Sequence, residues 1–336
     1  SQGLLYGMEM IYAVPGWRAP FVLVNVSRGI ASPVTLEPDH NDVLAARDSG
    51  FLQIHCATCQ EVLDNILIAY RLAEDPAVRL PVIVNMDGFY LSFTREPVEV
   101  PAVEDVDGFL PPFDPESIRF RANAPESQGV VVLGGTPYSY FRYETHLAAL
   151  KAGEVFDQVC AEFGARFGRH YAPVACHRTE DAEVVFVMMG SFSTKAQDAV
   201  DRLREAGWKV GLVRPRLLRP FPDVALRAAL EGKKAVAVID QNLSIGLGGI
   251  LYAEIASALY QLGRDAPILA SFVAGLGGRD IAAEEFFEIA AVCRDAAATG
   301  KPPKPRLLFT AEEMKEVRKY QTIAETEARM IKGTPS

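Results

Sequence analysis

Basic charge and cysteine are both scarce in this chain. Its 336 residues carry 34 Lys and Arg against 43 Asp and Glu, a formal charge of −9. That balance argues against nucleic acid or an anionic membrane as a partner, because both select a cationic face. The five cysteines, Cys56, Cys59, Cys160, Cys176 and Cys293, are odd in number and scattered. Reduced thiols fit this pattern better than a disulfide framework, and the expected location is cytoplasmic. Cys56 and Cys59 form a C-x-x-C, but no second Cys or His pair follows at zinc or cluster spacing. The pair reads as a redox dithiol or, more simply, as small buried side chains at a helix start. No run of eighteen apolar residues offers a membrane span, and SQGLLYGMEMIYAVPGW lacks the basic start and cleavage site of a signal peptide. Also missing are a G-x-S-x-G elbow, a P-loop, an H-E-x-x-H and a carboxylate pair with a site around it. Of the usual routes to catalysis, a cofactor remains.

What is present is apolar: 49% of the residues are hydrophobic, enough to fill two cores, and the length calls for two. An opening amphipathic helix (Leu4, Leu5, Met8, Ile11, Tyr12) has no cap and no preceding strand, as though a domain were entered part-way through. Strands are predicted over 21–26, 51–55 and 80–86, with a helix over 60–74, and this alternation implies a parallel sheet. Residues 95–137, rich in proline and acid, read as a long loop without an element of its own, and a bridging helix is expected over 143–167. A second set of strands is predicted over 183–189, 209–213, 235–239 and 267–272. With helices over 194–206, 223–231, 250–262 and 283–293 it makes four βα units. The fold class is therefore α/β, with two doubly wound parallel-sheet domains, 1–175 and 176–297, and a C-terminal arm, 298–336, expected to lie on a partner.

The chain is organised around FVLVNVSRGIASPVTLEPDHNDVLAARDSG, 21–50. Its β-branched start reads as a strand buried on both faces. Arg28, Gly29 and a loop with Glu37, Asp39, His40 and Asp42 follow at the strand's carboxyl end, the edge where open α/β sheets bind ligands. The Arg28 guanidinium offers a fixed fork for a carboxylate, or else pairs with one of the nearby acids and ties the loop down. His40 is placed to move protons or, as the structural alternative, to cap the helix starting near Asp42. The glycine loops IGLGGIL (245–251) and GLGGRD (275–280) depart from the dinucleotide pattern. Tight turns explain both, although the first opens a helix whose amides suit an anion.

In chain order, VNVSRG, PDHND, RDSGFLQIHC, LPVIVNMDGFYLS, EPVEVP, FLPPF, EFGARFGRHY, VVFVMMGS, VGLVRPRLLRPFP, KAVAVIDQNLSIGLGGIL and GLGGRD resemble the alpha subunit of the thiamine diphosphate-dependent 2-oxoacid:ferredoxin oxidoreductases, the pyruvate:ferredoxin oxidoreductase family. The resemblance covers the chain to about residue 295. It implies a first domain like the pyrimidine-binding domain of thiamine enzymes, here without its N-terminal part, and a second like the transketolase C-terminal domain. It further implies that Arg28 binds the 2-oxoacid carboxylate, that Gly29, Ile30, Leu36 and His40 line the substrate pocket, and that Ser1, Gln2 and Gly3 lie at the cofactor. Thiamine diphosphate would be shared with a beta subunit holding Mg²⁺ and a 4Fe-4S cluster. Gamma and ferredoxin-like delta subunits would complete the complex, and coenzyme A would be the co-substrate.

Two departures from the family pattern bear on function. Family members start some tens of residues earlier, with a threonine-bearing segment and a glutamate that activates thiamine; this chain as given is not expected to activate it alone. Where pyruvate-type members have a tryptophan-containing stretch, this chain has Val34-Thr35-Leu36-Glu37-Pro38. That change implies a roomier pocket, closer to the phenylglyoxylate and oxalate branches. The rival readings are a non-catalytic scaffold subunit and an NAD-dependent dehydrogenase using the glycine loops.

Overall fold

The computed structural model describes residues 1–114, 121–125, 129, 131–308 and 311–333. Among these, two sheets carry the architecture. In the first, β1 (Val22–Ser27), β3 (Val82–Asp87) and β2 (Leu52–His55) run parallel, and β7 (Leu217–Arg219) adds antiparallel to β2. The second has the order β10-β9-β8-β5-β6-β4. Parallel β9 (Ile268–Val273), β8 (Ala235–Asp240), β5 (Val184–Val187) and β6 (Val210–Pro215) form its centre, β4 (Val174–His177) is antiparallel at one edge, and β10 (Arg306–Leu307) is parallel at the other.

The second sheet follows the expected four βα units, with α7 (Phe192–Glu205), α8 (Asp223–Leu230), α9 (Ile250–Leu259) and α10 (Ala283–Thr299) as crossovers. Its central strands are buried on both faces, which is why β5 reads as an unbroken apolar run, VVFV. The sheets themselves are mixed rather than wholly parallel. β4 and β7 are the additions, both too short to announce themselves by periodicity.

The expectation of a doubly covered first strand is corrected. β1 pairs only with β3 and is an edge strand, with Val24 and Val26 each 40% exposed. The apolar run reflects one face on the core and one face that nothing among the described residues covers fully. The opening helix is broken at Gly7 into α1 (Gln2–Tyr6) and α2 (Met8–Ala13). Within 95–137 a short helix, α5 (Val103–Phe109), does form, and residues 115–120, 126–128 and 130 lie outside the described residues. The bridging helix, α6 (Gly135–Phe167), starts eight residues before the expected 143.

The buried half of α6 supplies Phe156, Val159 and Phe163 to a core under the first sheet, shared with Ile68 and Leu72 of α4 (Cys59–Ala73) and with Leu52, Ile54 and Val84. Each fully buried Phe contributes about 2–3 kcal/mol of apolar transfer. A second cluster runs from one sheet into the other, joining Leu44, Phe51 and Ile83 to Val185, Val187, Val213 and Ile255. The two sheets are thus packed as one body through apolar contact.

A buried ionic joint reinforces this packing. Thr58 caps α4, its Oγ1 accepting from Glu61 N at 3.2 Å, while Glu61 Oε2 accepts from Ala57 N at 2.8 Å. The same carboxylate takes a two-pronged pair from Arg214 (2.8 and 2.5 Å) and a third bond from Arg216 (3.2 Å). Burial alone would push Glu61 up, but the two guanidiniums hold it down at about 2. Cys56 and Cys59 sit beside this helix start. Cys56 is buried and its thiol is pushed well up by burial. Among the described residues no three His, Cys, Asp or Glu side chains are grouped to hold a metal ion.

The C-terminal arm also departs from expectation at its base. β10 pairs with β9, Leu308 is buried, and Arg279 forks onto Glu313 at 2.8 and 2.7 Å, so α11 (Ala311–Gly333) starts docked on its own chain. No helix of the structure, among the described residues, is long and apolar enough to cross a membrane.

Candidate functional site

The carboxyl ends of β1 and β3 face those of β5, β8 and β9, and a set of buried polar residues, Ser27, Asp39, His40, Asp42, Asp87 and Ser191, converges there. β1 ends at Ser27, whose Oγ lies 2.6 Å from the Asp39 carbonyl oxygen and 2.5 Å from Asp42 Oδ1. Arg28 N donates to Asp42 Oδ2 at 3.2 Å, and Gly29 N donates to the Glu37 carbonyl at 3.1 Å. The loop from Arg28 to Asp42 is therefore closed by its own acids and carbonyls. The Arg28 side chain is not part of that closure: half-buried, its guanidinium makes no hydrogen bond or ion pair with any described residue. The alternative in which it pairs with Glu37, Asp39 or Asp42 is set aside. Asp39 accepts from Asn41 N (3.0 Å) and Asp42 from Val43 N (2.6 Å) as well as from Arg28 N.

Two glycines permit the close approach. A Cβ on Gly88 would lie 2.5 Å from the Ser27 carbonyl oxygen and 3.0 Å from Arg28 Cγ. One on Gly29 would lie 2.6 Å from Thr35 Cγ2. Gly88 thus lets the end of β3 press against the end of β1, with Gly88 N donating to Ser27 O at 2.9 Å.

His40 is the N-cap residue of α3 (Asn41–Ala45), but its ring makes no cap bond. Instead Nε2 meets Asp87 Oδ1 at 2.8 Å, and Asp87 Oδ2 accepts from Ser191 N (2.7 Å) and Ser191 Oγ (2.6 Å) at the end of β5. The capping expectation is corrected: the first amides of α3 are already taken by the Asp39 and Asp42 carboxylates, and the His40 ring goes to the buried Asp87 carboxylate. Burial pushes His40 down, yet Asp87, with Asp39 and Asp42 behind it, leaves it raised; Asp87 is correspondingly lowered despite its own burial. His55, edge-on to His40 with ring centroids 5.5 Å apart, is driven down to about 3 by burial and by His40, and stays neutral. His40 N donates to the Gln241 carbonyl (2.8 Å), Gly278 N to the Pro38 carbonyl (2.7 Å) and Tyr90 OH to the Gly278 carbonyl (2.9 Å). This seam stitches the two sheet edges together.

Beyond Gly88 opens a cavity of about 600 Å³ lined by Glu37, Phe89, Tyr90, Phe93, Thr94 and Gly277–Arg279. Of the residues expected at a substrate pocket, Gly29 is buried against Thr35, Ile30 is half-buried, Leu36 is 63% exposed and His40 is in the seam. Ser1, Gln2 and Gly3 open α1, and Ser1 N lies 3.4 Å from Asp42 Oδ2, so the residues expected at the cofactor and at the carboxylate meet on one side chain. Sequence reasoning passed over Asp42 as a hub, and over Thr35, Asp87 and Ser191. Asp87 and Ser191 each stood just beyond a predicted strand, the one local signal available.

The first glycine loop does hold an anion at a helix start, but the anion is the chain's own. Asp240 accepts from Leu251 N (2.8 Å) and Tyr252 N (3.1 Å), and a Cβ on Gly249 would collide with it. Burial pushes this carboxyl up to about 7. Gly246, Gly248, Gly275, Gly277 and Gly278 all have positive φ, so both loops need glycine for their turns.

Two packed α/β sheets face one another with their carboxyl edges, the side of open α/β sheets where ligands bind, and the Arg28 guanidinium there has no partner among the described residues, which places the chain in the class of α/β proteins with a candidate site between two sheets. Residues 1–161 match the model of the thiamine diphosphate-binding domain of pyruvate flavodoxin/ferredoxin oxidoreductase, and residues 182–286 that of pyruvate:ferredoxin oxidoreductase core domain II. The chain is 40% identical over 289 residues to pyruvate synthase subunit PorA of Methanothermobacter thermautotrophicus, spanning 86% of this chain and 74% of that one. It is 39% identical over 307 residues to ketoisovalerate oxidoreductase subunit VorA of Pyrococcus horikoshii, spanning 90% and 76%. The chain belongs to the 2-oxoacid:ferredoxin oxidoreductase family, among its alpha subunits. Its fold is similar to that of a 2-oxoglutarate:ferredoxin oxidoreductase from Magnetococcus marinus solved with 2-oxoglutarate, coenzyme A and succinyl-CoA bound. The TM-score is 0.58 at 18% identity, over 88% of this chain and 52% of that one, so this chain spans about half of the solved chain's length.

Proposed function

We propose that this chain is the alpha subunit of a complex that oxidatively decarboxylates a 2-oxoacid. The reaction joins the 2-oxoacid and coenzyme A to give an acyl-CoA, CO₂, a proton and two low-potential electrons. The observation that carries this reading is the Arg28 guanidinium, held at the carboxyl end of β1 by its backbone and left without a partner by three nearby acids. Such a fork binds a carboxylate in two places and fixes the direction of the bond that breaks. Thiamine diphosphate, when bound, supplies the electron sink for loss of CO₂. On this side of the site Ser1, Gln2 and Gly3 would lie against it; a Cβ on Gly3 would meet no atom within 4 Å, so backbone there can approach a flat ring. Beta, gamma and delta subunits would hold Mg²⁺ and the 4Fe-4S clusters.

Phenylglyoxylate is the first substrate proposed. Its support is the Val34–Pro38 loop, in which Thr35, a small side chain, is the residue packed on Gly29, together with the aromatic wall of Phe89, Tyr90 and Phe93 around the adjoining cavity. Pyruvate is the second reading, favoured by the 40% identity to a pyruvate synthase subunit.

Arg28→Ala in the assembled complex tests the role. Losing one partner of a desolvated charge pair costs about 2–5 kcal/mol, so kcat/KM should fall by roughly 30- to 5000-fold. A loss under about threefold rejects it. Rates on phenylglyoxylate, pyruvate, 2-ketoisovalerate and oxalate rank the substrates, and pyruvate turning over fastest would overturn the first choice.

A further inference from the structure

The position of Arg28 poses a mechanical problem. β1 is an edge strand held by β3 alone, and the residues after Ser27 leave the ladder altogether. Strand ends of this kind fray unless side chains replace the missing partner strand. Asp42 does so here. Fully buried in the first turn of α3, its carboxylate takes Arg28 N on Oδ2 (3.2 Å) and Ser27 Oγ on Oδ1 (2.5 Å). Asn25 Nδ2, 3.5 Å away, links it to Asn85 of β3 through a 2.8 Å bond. One carboxylate thus fixes the Ser27–Arg28 peptide unit and the Ser27 hydroxyl before it, and all its contacts, the Ser1 nitrogen at 3.4 Å included, go to groups other than the Arg28 guanidinium, which has no partner among the described residues.

We infer that Asp42 is the positioning residue for Arg28: it touches no reacting atom, and it acts on the reaction only by setting where the guanidinium stands. This rests on the proposed role of Arg28, and a double-mutant cycle separates the two. In the assembled complex, kcat/KM for the best 2-oxoacid and the calorimetric affinity for oxamate, an unreactive carboxylate of 2-oxoacid shape, are measured for wild type, Arg28→Ala, Asp42→Asn and both together. Asp42→Asn keeps the shape but cannot accept two donors on two oxygens. The expected loss is roughly tenfold in kcat/KM and in oxamate affinity with Arg28 present, and less than twofold when Arg28 is already Ala. Equal losses in the two backgrounds, or a loss below twofold with Arg28 present, overturn the inference. An Arg28→Ala variant with near wild-type kcat/KM overturns the reading of Arg28 itself. Should Asp42→Asn fail to assemble, Ser27→Ala, which removes one of the hub's bonds and leaves the carboxylate in place, is read by the same cycle with the same criterion of coupling to Arg28.

Discussion

Glu61→Gln is the sharpest test of how the two sheets are joined. The carboxylate sits at the start of α4 under the first sheet, while its cations, Arg214 and Arg216, come from the end of β6 in the second and the residue that follows. Glu61 and Arg214 side chains are 11% and 12% exposed and Arg216 is 5%, so solvent screens the pair little. A carboxyl held down from 4.5 to about 2 corresponds to a stabilisation on the order of 3 kcal/mol. That agrees with the ~3–5 kcal/mol cost of leaving a buried partner unpaired.

The sign follows from the direction of the shift. A depressed pKa contributes stability that is complete above about 4.5 and is lost as pH falls towards about 2. At pH 7 the variant should therefore unfold in urea with about 3 kcal/mol less stability, or melt about 4 °C lower. The gap between wild type and variant should narrow steadily between pH 5 and pH 3. A gap below about 1 kcal/mol at pH 7, or one that stays constant down to pH 3, would refute the assignment of this joint as an ionic one.

Two further outcomes are expected besides those for Arg28 and Asp42. Gly88→Ala places a methyl 2.5 Å from a backbone carbonyl, so the chain should lose about 1–3 kcal/mol in urea unfolding. Because that carbonyl belongs to Ser27, kcat/KM should drop even under conditions where the variant is fully folded. Arg279→Ala removes the fork onto Glu313 and the 2.9 Å bond to Glu285 that dock α11. Trypsin should then cut within α11 roughly tenfold faster, as for a local opening made easier by about 1.4 kcal/mol, with the second sheet still protected; unchanged cleavage would mean that β10 and Leu308 suffice to hold the arm.

The βα units were legible because each is written in local periodicity. VVFV, AVAVID and their neighbours are apolar runs of strand length separated by amphipathic helices, and this pattern survives any arrangement of the sheets. Arg28 was legible for the same reason, as a charged residue directly after such a run. β1 itself was misjudged, since a run of Val and Leu looks the same whether the strand is central or, as here, at an edge with Val24 and Val26 half in the open. The residues at 115–120 and 126–128 fall within the stretch expected to be a loop and are outside those described.

By itself the sequence determined the α/β class, the two sets of strands, the glycine turns and an arginine at a strand's carboxyl end, all consequences of which residues are neighbours along the chain. Tertiary structure alone decided that β7 crosses to the first sheet, that His40 serves Asp87 instead of a helix cap, and that Asp42 meets Arg28's backbone while the guanidinium has no partner among the described residues. Those outcomes depend on which buried donors and acceptors meet across 14 residues of chain (Arg28 to Asp42) to 166 (Gln53 to Arg219). Nothing in local spacing encodes such a meeting; it follows from the strong tendency of buried polar groups to find partners once packing has excluded water.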